Sequence, residues 1–197
     1  TGQLSLLTHP WLADHVIEHR ILLPATCFLE LAFATANRAG ADRVDELTLE
    51  TPLVLAEQDT ARIQVRVAEP DDAGNRAFTI HSRAGAEHSV EPWTRHATGV
   101  LTSSATAPPA GNESPWPPAG AIRLDLGDAY AALRHLGYDY GPAFQGLHAV
   151  WRLGDDLLAE VALPGEIDDG TLFGLHPALL DAAMHPLLPK LNSVEKP

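Results

Sequence analysis

The chain has 197 residues, 45% hydrophobic and 20% charged, with 13 Lys and Arg against 26 Asp and Glu, a formal net charge of −13. This is the composition of a folded globular chain and excludes intrinsic disorder, while the acidic balance argues against a nucleic-acid or anionic-membrane surface, which needs clustered Lys and Arg. A lone Cys27 rules out an internal disulfide and most thiolate metal sites and fits a reducing, cytoplasmic setting; no apolar run approaches the roughly 20 residues that span a bilayer.

The start, Thr1-Gly2-Gln3, lacks an initiator Met and signal-like features, and is expected to mark a piece of something longer. Residues 3–7 and 19–23 read as short strands around the connection HPWLADHVIE. A helix is predicted over 24–37: Pro24 suits its first turn, where a missing N–H costs nothing, and Gly40 lies just past its end. Ala25, Cys27, Phe28, Leu29, Leu31, Ala32, Phe33, Ala34 and Ala36 leave it almost no polar face, which marks a buried helix. Strands follow over 44–56, 61–68, 76–83 and 93–102. The clearest alternates Ile63, Val65 and Val67 with Arg62, Gln64 and Arg66, and PDDAGN is a turn between two of them.

Residues 103–120, SSATAPPAGNESPWPPAG, are Pro-rich without periodicity and read as a linker. Beyond it come a strand over 121–126, a short amphipathic helix over 128–136 closed by Gly137, and strands over 144–153 and 157–163 with a hairpin turn at 154–156. A second apolar helix opens at Pro177 and stops at Pro186. The two apolar helices both begin with proline, and each belongs to a half otherwise made of antiparallel strands. The simplest packing is an α+β unit, one central helix wrapped by a curled sheet, occurring twice: residues 1–102 and 121–197 about the linker 103–120.

Three clusters carry chemistry. Asp181 interrupts the apolar stretch PALLDAAMH, and a buried carboxylate costs several kcal/mol unless it is hydrogen-bonded or kept neutral. His185, four residues on, shares its helical face, so the pair reads as an acid oriented by a neighbour; the blander reading is a loop-capping Asp and a frayed helix end. The second cluster, HPWLADHVIEHRILLP, holds His9, His15 and His19, and histidine is the usual general base near neutral pH. No HExxH or Cys/His spacing accompanies these, nor His176, Asp181 and His185, so no metal is expected; Pro177 makes a helix-start role the better reading of His176. The third, GYDYGPAF from Gly137 to Phe144, reads as a tight turn whose Tyr138 and Tyr140 offer hydroxyls to a ligand or to Asp181, or else as a packed aromatic corner.

Together these clusters resemble the dehydratase domains of modular polyketide synthases, whose motifs HxxxGxxxxP, GYxYGPxF and Dxxx(Q/H) occur in that order. The first is His15 to Pro24 here, the second matches fully, and the third is Asp181 to His185 within HPALLDAAMH. HPWLADH and WTRHATGVL, the latter from Trp93 to Leu101, are also similar. The resemblance implies a double hot-dog fold and removal of water from a β-hydroxyacyl thioester delivered on the phosphopantetheine arm of an acyl carrier protein. It implies His15 as base, Asp181 as acid, and Tyr138 or Tyr140 on the leaving hydroxyl. Backbone N–H groups at position 19 and at the start of the Pro24 helix would stabilise the enolate-like oxygen, and no cofactor is bound by the domain itself.

Two departures accompany it. His19 stands where the motif has glycine, a strained choice if φ is positive there, and Ala25 where many relatives have glycine. The family also continues for several strands after the Asp helix and has a strand region before this start. A shortened second half is therefore expected, which would leave the Asp181 face exposed and sheet edges open. The alternatives are a catalytically silent scaffold or dimerisation domain, a double-bond isomerase or cyclase of the same fold, and a hot-dog thioesterase. The expected partners are the carrier protein, through a basic patch including Arg20, Arg38 or Arg43, neighbouring synthase domains, and a second copy of the chain.

Overall fold

The computed structural model describes residues 1–56, 58–85, 91–103, 115–165, 167 and 172–188. Most of the first half forms one antiparallel sheet. Strands β1 (Gly2–Ser5), β4 (Arg43–Leu49), β6 (Thr60–Val67), β7 (Arg76–Ala84) and β8 (Thr94–Thr102) lie in the order β1-β6-β7-β8-β4. Ile63, Phe78, Ile80, Ala97 and Leu101 are buried in it, in one core with Phe28, Ala32 and Ala36 of helix α1 (Ala25–Arg38). Alternation along the strands thus meets the apolar stripe of a helix, which is how an antiparallel sheet hides one face. Asp71 makes the PDDAGN turn, its carboxylate accepting from the N–H groups of Ala73 and Asn75.

The second half is smaller. Strands β9 (Ile122–Arg123), β11 (Leu147–Leu153) and β12 (Asp156–Val161) pair in the order β12-β11-β9. Helix α2 (Ala129–Arg134) starts at Asp128, whose side chain accepts from the Ala131 N–H. Helix α3 (Pro177–Met184) is capped by His176, which accepts from the Ala178 N–H, and runs on into a 3-10 turn, His185–Leu187. α3 packs against α1 and β12.

A third sheet draws on both halves. It contains β2 (His15–Ile17), β3 (Arg20–Leu22), β5 (Val54–Leu55) and β10 (Tyr138–Tyr140), ordered β10-β2-β3-β5. Its register sets Tyr140 opposite His15 and Tyr138 opposite Ile17. Two of the sequence expectations change here. HPWLADHVIE is not a plain connection but a 3-10 turn, Pro10–Asp14, followed by β2, and GYDYGPAF is a strand before a second 3-10 turn, Pro142–Phe144. Period-two alternation over three residues is too short to read from sequence; β2 is a strand through its hairpin with β3, and β10 through pairing across the halves.

Other boundaries shift for local reasons. The strand expected over 44–56 breaks at Pro52, which has no N–H for a ladder, into β4 and β5 of different sheets. The strand expected over 121–126 shrinks to β9. Neither apolar helix is enclosed all round, since Phe33 is 41% and Met184 40% exposed. Asp181, expected on an open face, is instead 7% exposed. Residues 104–114 of the expected linker and the tail from 189 lie outside the described residues.

Candidate active site

His15 begins β2, and its placement follows from the residues around it. Trp11 and Leu12 of the preceding 3-10 turn are buried, Trp11 against Phe144, Phe173 and His176, so the turn is anchored before the strand starts. The His15 ring is 5% exposed, and its Nδ1 lies 2.8 Å from the Leu22 carbonyl oxygen across the β2–β3 hairpin. A carbonyl only accepts, so Nδ1 carries the proton and Nε2 keeps a free lone pair. Burial lowers the His15 pKa, against the opposing pull of Asp181, so the ring is a neutral base at neutral pH.

Asp181 and His185 sit one turn apart on α3 and its 3-10 extension. His185 Nε2 is 3.0 Å from Asp181 Oδ2, and His15 Nε2 is 4.0 Å from that oxygen. The first is a hydrogen bond; the second is too long for one, so base and carboxyl face each other without quenching each other. His185 is 2% exposed and is a buried partner, not a frayed end. Its ring stacks on Tyr140 at 4.4 Å, and its Nδ1 lies 3.4 Å from the Tyr130 hydroxyl.

A cavity of about 350 Å3 opens onto this pair, lined by His15, Asp181, Tyr140, Ala25, Phe28 and the segment from Leu49 to Pro52. Burial, with Asp181 adding to it, pushes the Tyr140 pKa well up, so its hydroxyl keeps its proton. Tyr138 packs behind it, rings 6.1 Å apart, and is not in the wall. Pro24 is buried as the N-cap of α1, and the next two residues, Ala25 and Thr26, have backbone N–H groups with no helical acceptor. His19 lies elsewhere: with Glu18 it forms an exposed two-residue hairpin turn, at φ 62° and 49°, and does not line the cavity. The backbone N–H role expected at position 19 therefore has no geometric support. His9 bonds Thr8 outside the cavity, and among the described residues no three His, Cys, Asp or Glu form a metal-holding group.

Three residues that shape the site were not singled out from the sequence. Asp14 accepts the Ala143 N–H through its carboxylate and the Gly141 N–H through its carbonyl, both at 2.8 Å, tying the second-half turn to the residue before His15. His96, 3% exposed, donates from Nδ1 to the Thr51 carbonyl and accepts from the Ser82 hydroxyl, which holds the cavity wall at 50–52. Tyr130 stands behind His185. For Asp14 the signal was its place one residue before a candidate base; for Tyr130 it was an aromatic on the polar side of a short amphipathic helix.

Residues 1–83 match the family described as polyketide synthase dehydratase domain, and residues 108–196 that described as polyketide synthase dehydratase N-terminal domain. Polyketide synthase GfsA of Streptomyces halstedii is 54% identical over 189 residues, which cover 94% of this chain and 2% of that protein. The chain thus spans only a small part of such a relative's length. The solved erythromycin dehydratase is 38% identical with a TM-score of 0.86, over 96% of this chain and 69% of that one. Two curacin dehydratase variants described as inactive, one Asp to Asn and one His to Phe, are 28% and 26% identical. Their TM-scores are 0.77 and 0.75, over 98% and 93% of this chain and 69% and 65% of theirs.

Proposed function

Because this chain belongs to the polyketide synthase dehydratase family, with its double hot-dog fold, we propose that it eliminates water from a β-hydroxyacyl thioester held on the phosphopantetheine arm of an acyl carrier protein. The observation that carries this reading is the 4.0 Å approach of a neutral buried imidazole, from one half, to a buried carboxyl from the other, across one cavity. Elimination needs both groups at once, because a proton must leave the α-carbon as another reaches the departing β-oxygen.

His15 Nε2 takes the α-proton, and the electron pair forms the double bond. The carbon–oxygen bond breaks as Asp181, acting as the acid, gives its proton to the hydroxyl, and water leaves. His15 is then an imidazolium facing a carboxylate, and passing one proton between them restores the starting state. Negative charge on the thioester oxygen is met by the first N–H groups of α1, where the helix dipole is positive. Tyr140, in the wall and protonated, donates to the leaving hydroxyl. His185 holds Asp181, and Pro24 fixes the entry to α1.

The acid–base pair moves every proton this scheme requires, so the scheme calls for no metal or redox group. The reading brings with it a cytosolic setting, neighbouring synthase domains, a second copy of the chain as partners, and a division of the chain about 103–120. The inactive His and Asp variants of the curacin enzyme support the pairing of these two residue types.

The test is to incubate the chain with β-hydroxyacyl carrier-protein thioesters and follow loss of water by mass spectrometry. Wild type is expected to give the enoyl thioester, and His15→Phe and Asp181→Asn to form it at least about 100-fold more slowly. No enoyl product from wild type, across several chain lengths and both hydroxyl configurations, would overturn the assignment, and release of free acid would mark a thioesterase instead.

A further inference from the structure

Behind Asp181 runs a partly buried line of groups that move no proton in the elimination itself. The Leu147 N–H donates to the Tyr130 hydroxyl at 3.1 Å, that hydroxyl lies 3.4 Å from His185 Nδ1, and His185 Nε2 lies 3.0 Å from Asp181 Oδ2. The Tyr130 and His185 rings meet edge-on at 81°. The direction of each bond follows from its first member. A backbone N–H only donates, so Tyr130 oxygen accepts from Leu147.

The phenol then has one proton of its own to place. Burial pushes the Tyr130 pKa up to about 12, so that proton stays. Among the described residues the only further polar atom hydrogen-bonded to this hydroxyl is His185 Nδ1. A partly buried O–H gains by donating to the acceptor beside it, so the proton points there and Nδ1 carries none. A neutral imidazole with a bare Nδ1 is protonated on Nε2, which donates to Asp181 Oδ2.

We propose that Tyr130 is a positioning residue that, through His185, holds the imidazole in its Nε2–H form and so keeps the transferable proton of Asp181 on Oδ1. Oδ2 is occupied as an acceptor, whereas Oδ1 makes no hydrogen bond among the described residues, and Asp181 lines the cavity. The opposite tautomer would have Nε2 accept, drawing the acid proton onto Oδ2 and away from the substrate. This inference rests on the acid role proposed for Asp181. The titratable groups facing His185 and Asp181 are Tyr130 from α2, Tyr140 from β10, His15 from β2 and Cys27 from α1.

The test is long-range proton–nitrogen correlation of the histidine rings in the ¹⁵N-labelled chain, with His185 assigned by its absence from a His185→Gln variant. Wild type is expected to show Nε2 protonated and Nδ1 bare. In Tyr130→Phe the His185 signals are expected to move toward the other tautomer or the imidazolium, with kcat down about tenfold, the size of a modest loss of acid catalysis, and KM within about twofold. In the His185→Gln background, where an amide has no tautomer to set, Tyr130→Phe is expected to cost less than about twofold. A wild-type ring protonated at Nδ1 would overturn the proposal. So would an unchanged His185 spectrum in Tyr130→Phe, or an equal loss in the glutamine background. The wild-type spectrum decides even if Tyr130→Phe fails to fold. Absence of dehydration by wild type would sink the proposed reaction while the spectrum still reports the tautomer.

Discussion

His15 is neutral because burial lowers its pKa against the opposing pulls of Asp181 and of the Leu22 carbonyl that accepts from its Nδ1. Its folded pKa lies below the ordinary imidazole value of about 6.5. The base therefore stays competent as pH falls through that value, and the acid limb of kcat/KM is expected below pH 6.5, measured as initial dehydration rates. The sign for stability follows. Below about 6.5 the unfolded chain takes up a proton that the folded site refuses, so His15 contributes stability that is present above that pH and lost as pH falls toward the folded pKa. Denaturant titrations across that range check it, and a midpoint that rises as pH falls would contradict it. His19 carries an independent expectation. It holds φ at 62° in an exposed turn, a conformation that costs a side-chain-bearing residue about 1 kcal/mol. His19→Gly removes that cost but loosens the unfolded chain, leaving a net gain of roughly 0.5 kcal/mol by urea denaturation; a net loss would mean that the His19 side chain itself supports the turn.

The hairpin β2–β3 and the strand–turn that begins with β10 act as one element because Asp14 clamps them. A Cβ at Gly141 would run into the Asp14 side chain. Gly141→Ala is thus expected to push that carboxylate off the Ala143 N–H, costing about 1–3 kcal/mol in chemical denaturation and lowering kcat through the neighbouring His15. Wild-type stability in this variant would show that the turn yields freely. The same element marks the limit of the sequence reading. α1, α3 and the long strands were legible because apolar periodicity over eight or more residues is a strong signal, and Asp181 stood out as a charge among apolar neighbours. β3 falls within the strand read over 19–23, but β2 and β10 were not legible, because three residues give too short a pattern and β10 pairs only with a strand distant in the chain. His15, Asp181, Tyr140 and His185 do come together; His19, read as a donor by motif position, sits outside the cavity because a two-residue hairpin turns it to solvent. Which tyrosine faces the cavity was likewise fixed by register alone, with Tyr140 opposite His15.

At the level of the molecule, the two halves are joined where chemistry is proposed. The shared sheet, the Asp14 clamp and a carboxylate bridge from Glu30 of α1 to the Gly174 N–H before α3 all cross from one half to the other. That explains how Asp181 stays buried and opposed to His15. The net charge of −13 gives no long-range attraction for an acidic carrier. Two of the arginines considered for docking, Arg20 and Arg43, lie beside Glu18 and Asp45, so each has its charge largely offset locally. The most direct test of the whole account is a double-mutant cycle on dehydration of a carrier-bound substrate. His15→Phe and Asp181→Asn are each expected to cut the rate at least about 100-fold, and the double variant to be no worse than the poorer single, as for groups that act as a unit. Losses that multiply, or a single variant that keeps its rate, would contradict a base and an acid meeting across the two halves.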